Sequence, residues 1–197
     1  MNAYTPAVLS MTSGYLLGSV SSAWIISRLF GKIDMRSAPD GTISAASVFY
    51  KLGRFPYMLV VFMDITLAAL SVILARAFTH SSSIAMLSGL AAMAGHNWSI
   101  FLKFKGGLGA TSMAGALAAV MLLPLCYGLV AAALAGVITH RSGLGTTVGV
   151  IIIFVVALIQ SGAGATAMYP LSLLSLMLIK RFQLSRTTGH GILGSAK

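Results

Sequence analysis

The run Gly95-His96-Asn97-Trp98-Ser99-Ile100-Phe101-Leu102-Lys103-Phe104-Lys105-Gly106-Gly107-Leu108-Gly109-Ala110-Thr111-Ser112 is the polar break in an otherwise apolar sequence. Lys103, Lys105 and a glycine-rich turn lie between two apolar segments, and a helix of small residues is expected to open directly after them. Glycines let backbone N–H groups converge on an anion, and a helix N-terminus adds a partial positive charge. The two lysines add full charges. The pattern suits a phosphate held at the edge of a membrane. His96 stands beside the turn, either as a satisfied structural residue or as a base.

Two other polar positions bear on such a site. The loop from Gly31 to Ser47 is rich in hydroxyls and turn residues, and it carries Arg36. An arginine forks onto phosphate oxygens and would supply a second anion contact. The plainer alternative is a solvated loop with an Asp34–Arg36 surface pair of little energetic weight. Asp64 lies near the middle of an apolar span. An acid there is expensive and faces the bundle interior, for function or for helix–helix bonding.

The elements that must position these residues follow from composition. The chain has 197 residues, 57% hydrophobic and 8% charged, with a mean hydropathy of +0.93. A soluble domain carries about 25% charged residues. The expectation is an all-α, polytopic integral membrane bundle, a single transmembrane domain over residues 1–197. The N-terminal run reads as a genuine span and not a signal peptide. The net charge of +10 would suggest nucleic acid in a soluble protein, but the positive-inside rule accounts for it here, so no nucleic-acid partner is expected. The one cysteine, Cys126, cannot form an internal disulfide, and the four histidines are scattered, so no metal and no cofactor is expected.

Apolar spans are predicted at 6–28, 55–75, 82–101, 110–139, 144–160 and 164–180. A continuous helix over 110–139 would be about 45 Å long, beyond a hydrocarbon core of about 30 Å. Pro124 lies in its middle, where a helix kinks or breaks. With the N-terminus outside and a hairpin broken near Pro124, every Lys and Arg except Arg76 falls on the cytoplasmic side. The positive-inside rule therefore prefers about seven crossings, with the site and the C-terminus cytoplasmic. Gly128, Ala132 and Gly136 would line one face of the fourth span, and Gly14 and Gly18 one face of the first, as close helix contact needs.

The run at 95–109 resembles the second motif of the bacterial acyl-phosphate:glycerol-3-phosphate acyltransferases, the PlsY family. Gly18-Ser19, Gly31 to Arg36, Val48 and Leu52-Gly53 resemble its first motif region, and Asp64 matches an aspartate of its second span. The resemblance implies transfer of a fatty acyl group from acyl phosphate to glycerol 3-phosphate, giving lysophosphatidic acid in a bacterial cell membrane. His96 and Lys105 are then the candidate catalytic residues. Ser19, Arg36, Thr42, Ser47, Asn97, Lys103, Gly106, Gly107, Gly109, Thr111 and Ser112 are the candidate contacts to substrate phosphate. The partners implied are acyl phosphate, glycerol 3-phosphate and membrane lipid. An acyl phosphate is a mixed anhydride, so no nucleophilic triad is needed; positioning and charge stabilisation are. A substrate phosphate could replace His96 as the base.

The chain departs from the family pattern at polar positions. Pro39, Asp40, Thr42, Ser44, Ala46, Ser47 and Tyr50 replace first-motif residues, Leu108 stands for a second-motif lysine, and Leu67 for a second-span lysine. One residue is missing before Thr111, and the C-terminal motif is reduced to Lys180-Arg181-Phe182-Gln183. Two alternatives therefore stand beside the enzyme: a non-catalytic lipid- or phosphate-binding relative, and a small membrane transporter.

Overall fold

The computed structural model describes residues 4–37 and 43–194. Nine α-helices and two 3₁₀ turns make up the described residues, without a named strand. The protein is an all-α integral membrane bundle. Among the described residues three helices are long and apolar enough to cross a membrane: Arg54–Thr79, Leu122–Thr139 and Gly143–Ser161 within a longer helix. Large apolar side chains such as Phe62, Phe78 and Ile159 are exposed on the outside of the bundle, where lipid takes the place of water.

Two expected spans are each split in two. The first becomes α1 (Thr5–Ser19) and α2 (Ser22–Gly31). The break is local: Val20 is extended, and the Ser21 hydroxyl accepts a hydrogen bond from the Trp24 amide at 3.3 Å, capping α2. The short helix α3 (Ala45–Leu52) is capped likewise by Ser44, and α4 spans Arg54–Thr79. Helix α5 (Ser82–Asn97) is capped by Ser81.

The segment 110–139 divides into α6 (Ala110–Val120) and α7 (Leu122–Thr139). The break falls at Met121, whose φ of −148° and ψ of 71° leave the helical region. Pro124 sits just inside the first turn of α7, where its missing N–H costs nothing. A continuous helix would set its ring against the Val120 carbonyl four residues back and leave that carbonyl without a donor, so the break falls in the turn before it. Helices α8 (Ser142–Ser161) and α9 (Ala165–Gly194) complete the chain.

Between membrane helices lipid removes most of the hydrophobic driving force, so close packing does the work. The Gly14 and Gly18 face of α1 lies directly on α5: a β-carbon at Gly14 would sit 2.5 Å from the Ser88 carbonyl oxygen, and one at Gly18 would overlap the Ala92 backbone. The Gly128 stripe of α7 meets Gly145, Gly149 and Ile153 of α8 in the same manner. These contacts leave α7 and α8 as a tight antiparallel pair. Helices α4, α5, α6 and α9 enclose a core that includes Met93, Leu117 and Leu173, and α8 adds Val150 and Ile153 to it.

Candidate active site

Asp64 is the centre of a polar cluster inside the bundle. It is 4% exposed and accepts a short hydrogen bond from Ser22 at the start of α2. Thr111, in the first turn of α6, donates to its other oxygen at 2.6 Å. His96, near the end of α5, brings Nδ1 to 3.8 Å from Asp64 Oδ1, with its ring almost wholly enclosed. One carboxylate thus ties four helices together, which repays part of the cost of burying it.

The loop after α5 folds back on that helix. Lys103 and Phe104 both adopt positive φ, an uncommon state for residues with a β-carbon. Their turn lets the Gly107 amide donate to the His96 carbonyl at 3.2 Å and brings Gly107 against His96 Nε2, at 2.5 Å from where a β-carbon would stand. Gly109 begins α6 at φ +83°, with Asn97 Oδ1 pressed against it. Asn97 is fully buried; its Nδ2 donates to the Leu176 carbonyl at 3.4 Å, while Oδ1 is unpaired. The strained turn fixes the N-terminus of α6 beside the His96 ring.

These parts bound a cavity of about 460 Å³. His96, Leu108, Gly109 and Thr111 form one wall, and Ser44 and Tyr57 belong to another. Gly143, Thr146, Met177 and Arg181 close it from α8 and α9. A second, smaller space of about 160 Å³ runs between α6, α7 and α8, past Met113, Leu117, Leu125 and Ile153. Ala110 and Thr146 line both, so a chamber carrying the polar groups of His96, Thr111 and Arg181 adjoins a more apolar groove.

The basic loops gather beside the chamber. Lys105 Nζ donates to the Arg36 carbonyl at 3.5 Å, and the Ile43 amide donates to the Gly106 carbonyl at 3.4 Å, so the two segments meet. The Arg36 guanidinium is turned to Asp34, whose carboxylate it binds at 2.7 Å together with Arg28. Hydrogen bonds from the Arg36 side chain, and then its amide, hold the Asp34 carboxyl well below the usual carboxylate range. Both guanidinium groups also lie 5.7 Å from the Trp24 ring centre.

Of the residues expected from sequence, His96, Gly109 and Thr111 border the chamber, and Gly107 supports the His96 ring. Arg36, Lys103, Lys105 and Gly106 are not among its lining residues. Ser47 donates its amide to Ser44 and takes part in the α3 cap. Ser112 is buried behind Thr111, and Ser19 is fully buried, its carbonyl accepting from Ser99 at 2.6 Å. Thr42 lies outside the described residues, as do Pro39, Asp40 and Gly41. The residues absent from the sequence list are Asp64, Ser44, Thr146 and Arg181. Asp64 carried a signal as an acid within an apolar run, and Ser44 and Arg181 as positions of the first and C-terminal family motifs; Thr146 becomes a neighbour through helix packing alone.

Comparison with known proteins agrees with this architecture. A family model described as glycerol-3-phosphate acyltransferase matches residues 8–187. The glycerol-3-phosphate acyltransferase of Shouchella clausii is 37% identical over 156 residues, covering 78% of this chain and 76% of that protein. That of Thermus thermophilus is 40% identical over 115 residues, 57% of this chain and 56% of that one. The crystal structure of PlsY (YgiH), an integral membrane glycerol 3-phosphate acyltransferase in its glycerol 3-phosphate form, superposes with a TM-score of 0.79 at 24% identity, over 93% of this chain and 92% of that one. The buried cluster around Asp64 and the chamber beside it therefore belong to a member of the glycerol-3-phosphate acyltransferase family.

Proposed function

We propose that this chain transfers a fatty acyl group from acyl phosphate to a hydroxyl of glycerol 3-phosphate, forming lysophosphatidic acid. One observation carries the reading: His96 faces a chamber bounded by a helix N-terminus, with a buried carboxylate 3.8 Å behind its ring. The donor's acyl chain lies in the apolar groove between α6, α7 and α8, and its phosphate lies in the chamber. The amides of Ala110 and Thr111 are in the first turn of α6 and face the anion.

In the reaction the acceptor hydroxyl attacks the acyl carbonyl. His96 takes the hydroxyl proton, and Asp64 stabilises the imidazolium formed. The negative charge on the carbonyl oxygen returns as the bond to phosphate breaks, and the leaving phosphate takes the proton from His96. One C–O bond forms and one breaks, with no redox change. Arg36, Lys103 and Lys105 supply positive potential that draws anionic substrates to this end of the bundle. The site faces the cytoplasm of a bacterial cell, with the N-terminus outside, as the charge distribution favours.

The test is phosphate release from palmitoyl phosphate by the purified chain in lipid nanodiscs, with and without glycerol 3-phosphate, together with detection of lysophosphatidic acid. Release that does not depend on the acceptor removes the proposal. Leu108, an apolar residue in the chamber wall at a position where the family pattern has lysine, favours a second reading: substrate binding without turnover. Saturable binding of palmitoyl phosphate with no product decides for it.

A further inference from the structure

Arg181 reaches the chamber from α9, and its head group lies against the first turn of α8. A β-carbon at Gly143 would stand 3.1 Å from the guanidinium carbon and closer still to one of its nitrogens. The absence of a side chain at Gly143 is what lets the guanidinium occupy that place. Four other cations near this end are engaged elsewhere: Arg28 and Arg36 bind Asp34, Lys105 donates to a carbonyl, and Lys180 lies 5.4 Å from the Trp98 ring centre. Arg181 has no hydrogen-bond or ion-pair partner among the described residues, and it is the arginine that borders the chamber. Gly109, Ala110 and Thr111 at the N-terminus of α6 line the same chamber.

Position selects which phosphate it meets. Thr146, which borders both the chamber and the apolar groove, follows Gly143 by three residues on α8 and so lies on the same face, one turn on. The Arg181 head group is therefore within one helical turn of the groove mouth. A ligand with its alkyl chain in the groove has its own phosphate at that level. A guanidinium and helix amides together suit the three oxygens of a phosphate monoester.

We infer that Arg181, seated against Gly143, binds the phosphate of the acyl donor in the chamber that the α6 N-terminus also lines, with Gly143 as its positioning residue. This rests on the acyl-phosphate reading above, but a binding probe that cannot react separates the two. Dodecyl phosphate has the chain and the phosphate monoester but no acyl carbonyl. Its affinity for the full chain is measured by calorimetry in phosphatidylcholine nanodiscs, with Arg76→Ala as a control at the other end of α4.

Arg181→Ala and Arg181→Gln are expected to weaken dodecyl phosphate at least tenfold, Arg181→Lys less, and Gly143→Ala severalfold through displacement of the guanidinium. Arg181 is exposed, so truncation removes no core packing, and unchanged thermal unfolding checks this. Affinity within twofold of the parent in Arg181→Ala overturns the inference, as does a larger loss in Lys105→Ala or Arg36→Ala. A loss of glycerol 3-phosphate binding with dodecyl phosphate unaffected overturns the assignment to the donor. Arg181-dependent binding of dodecyl phosphate without turnover of palmitoyl phosphate leaves this inference standing and removes the proposed reaction.

Discussion

Asp64 Oδ1 lies 3.8 Å from His96 Nδ1, inside a bundle where Asp64 also receives the hydroxyls of Ser22 and Thr111. The carboxylate sits behind the imidazole, and the chamber lies before it. The arrangement gives the histidine a partner for the charge it gains on taking a proton, and it fixes the ring against Gly107.

His96→Ala is expected to lower acyl transfer about 100-fold or more, the usual weight of a positioned general base. Binding of dodecyl phosphate should change little. Phosphate release under saturating substrate measures the first and calorimetry the second. A fall of less than about threefold would assign the proton to a substrate phosphate instead.

Asp64→Ala leaves the Ser22 and Thr111 hydroxyls without their acceptor. Each buried group left unpaired costs about 1–3 kcal/mol. The variant should unfold at a clearly lower temperature, while Asp64→Asn, which keeps an acceptor oxygen, should be intermediate in stability yet impaired in transfer. Equal melting of all three proteins would show that the cluster does not hold the helices together.

Gly109→Ala places a β-carbon at φ +83°, 2.5 Å from Asn97 Oδ1 and 2.8 Å from the Met93 terminal methyl. The left-handed backbone alone costs about 1–2 kcal/mol. Reduced thermal stability and weaker dodecyl phosphate binding are expected together, because the same residue sets the N-terminus of α6. Either change without the other would uncouple the turn from the anion site.

Ala114→Phe fills the groove between α6 and α7. If about three methylenes of a long chain lose their place, transfer from palmitoyl phosphate loses about 2 kcal/mol, while a short-chain donor is unaffected. Competition between palmitoyl and hexanoyl phosphate reads the ratio. An unchanged ratio would move the acyl chain to another face of the bundle.

The Asp34 carboxyl is held low by Arg36, so the clip it forms contributes above the unfolded carboxylate value of about 4 and fades as pH falls below it. Asp34→Asn should therefore speed hydrogen exchange of the Arg36 amide, which donates to Asp34 at 3.1 Å, severalfold at about pH 6. Corrected for intrinsic rates, the difference between the two proteins should be smaller at about pH 3. Identical exchange at about pH 6 would mean that the clip does not order the loop.

The sequence by itself determined the class of this protein, because long apolar runs with few charges have no other stable home than a membrane. It also located the glycine-rich turn at Gly106 to Gly109 and marked Asp64, since an acid in an apolar run stands out on its own. Glycine spacing announced the packing faces at Gly14, Gly18 and Gly128, which local periodicity encodes. It placed the break in 110–139 near Pro124, and the helix does part three residues earlier, at Met121, in the turn that a proline ring disturbs. Only the tertiary structure brought Arg181 and Gly143 to the chamber and turned Arg36 to Asp34. Those relations depend on how α8 and α9 pack against the loops, and no spacing within one segment records which face of a distant helix it will meet.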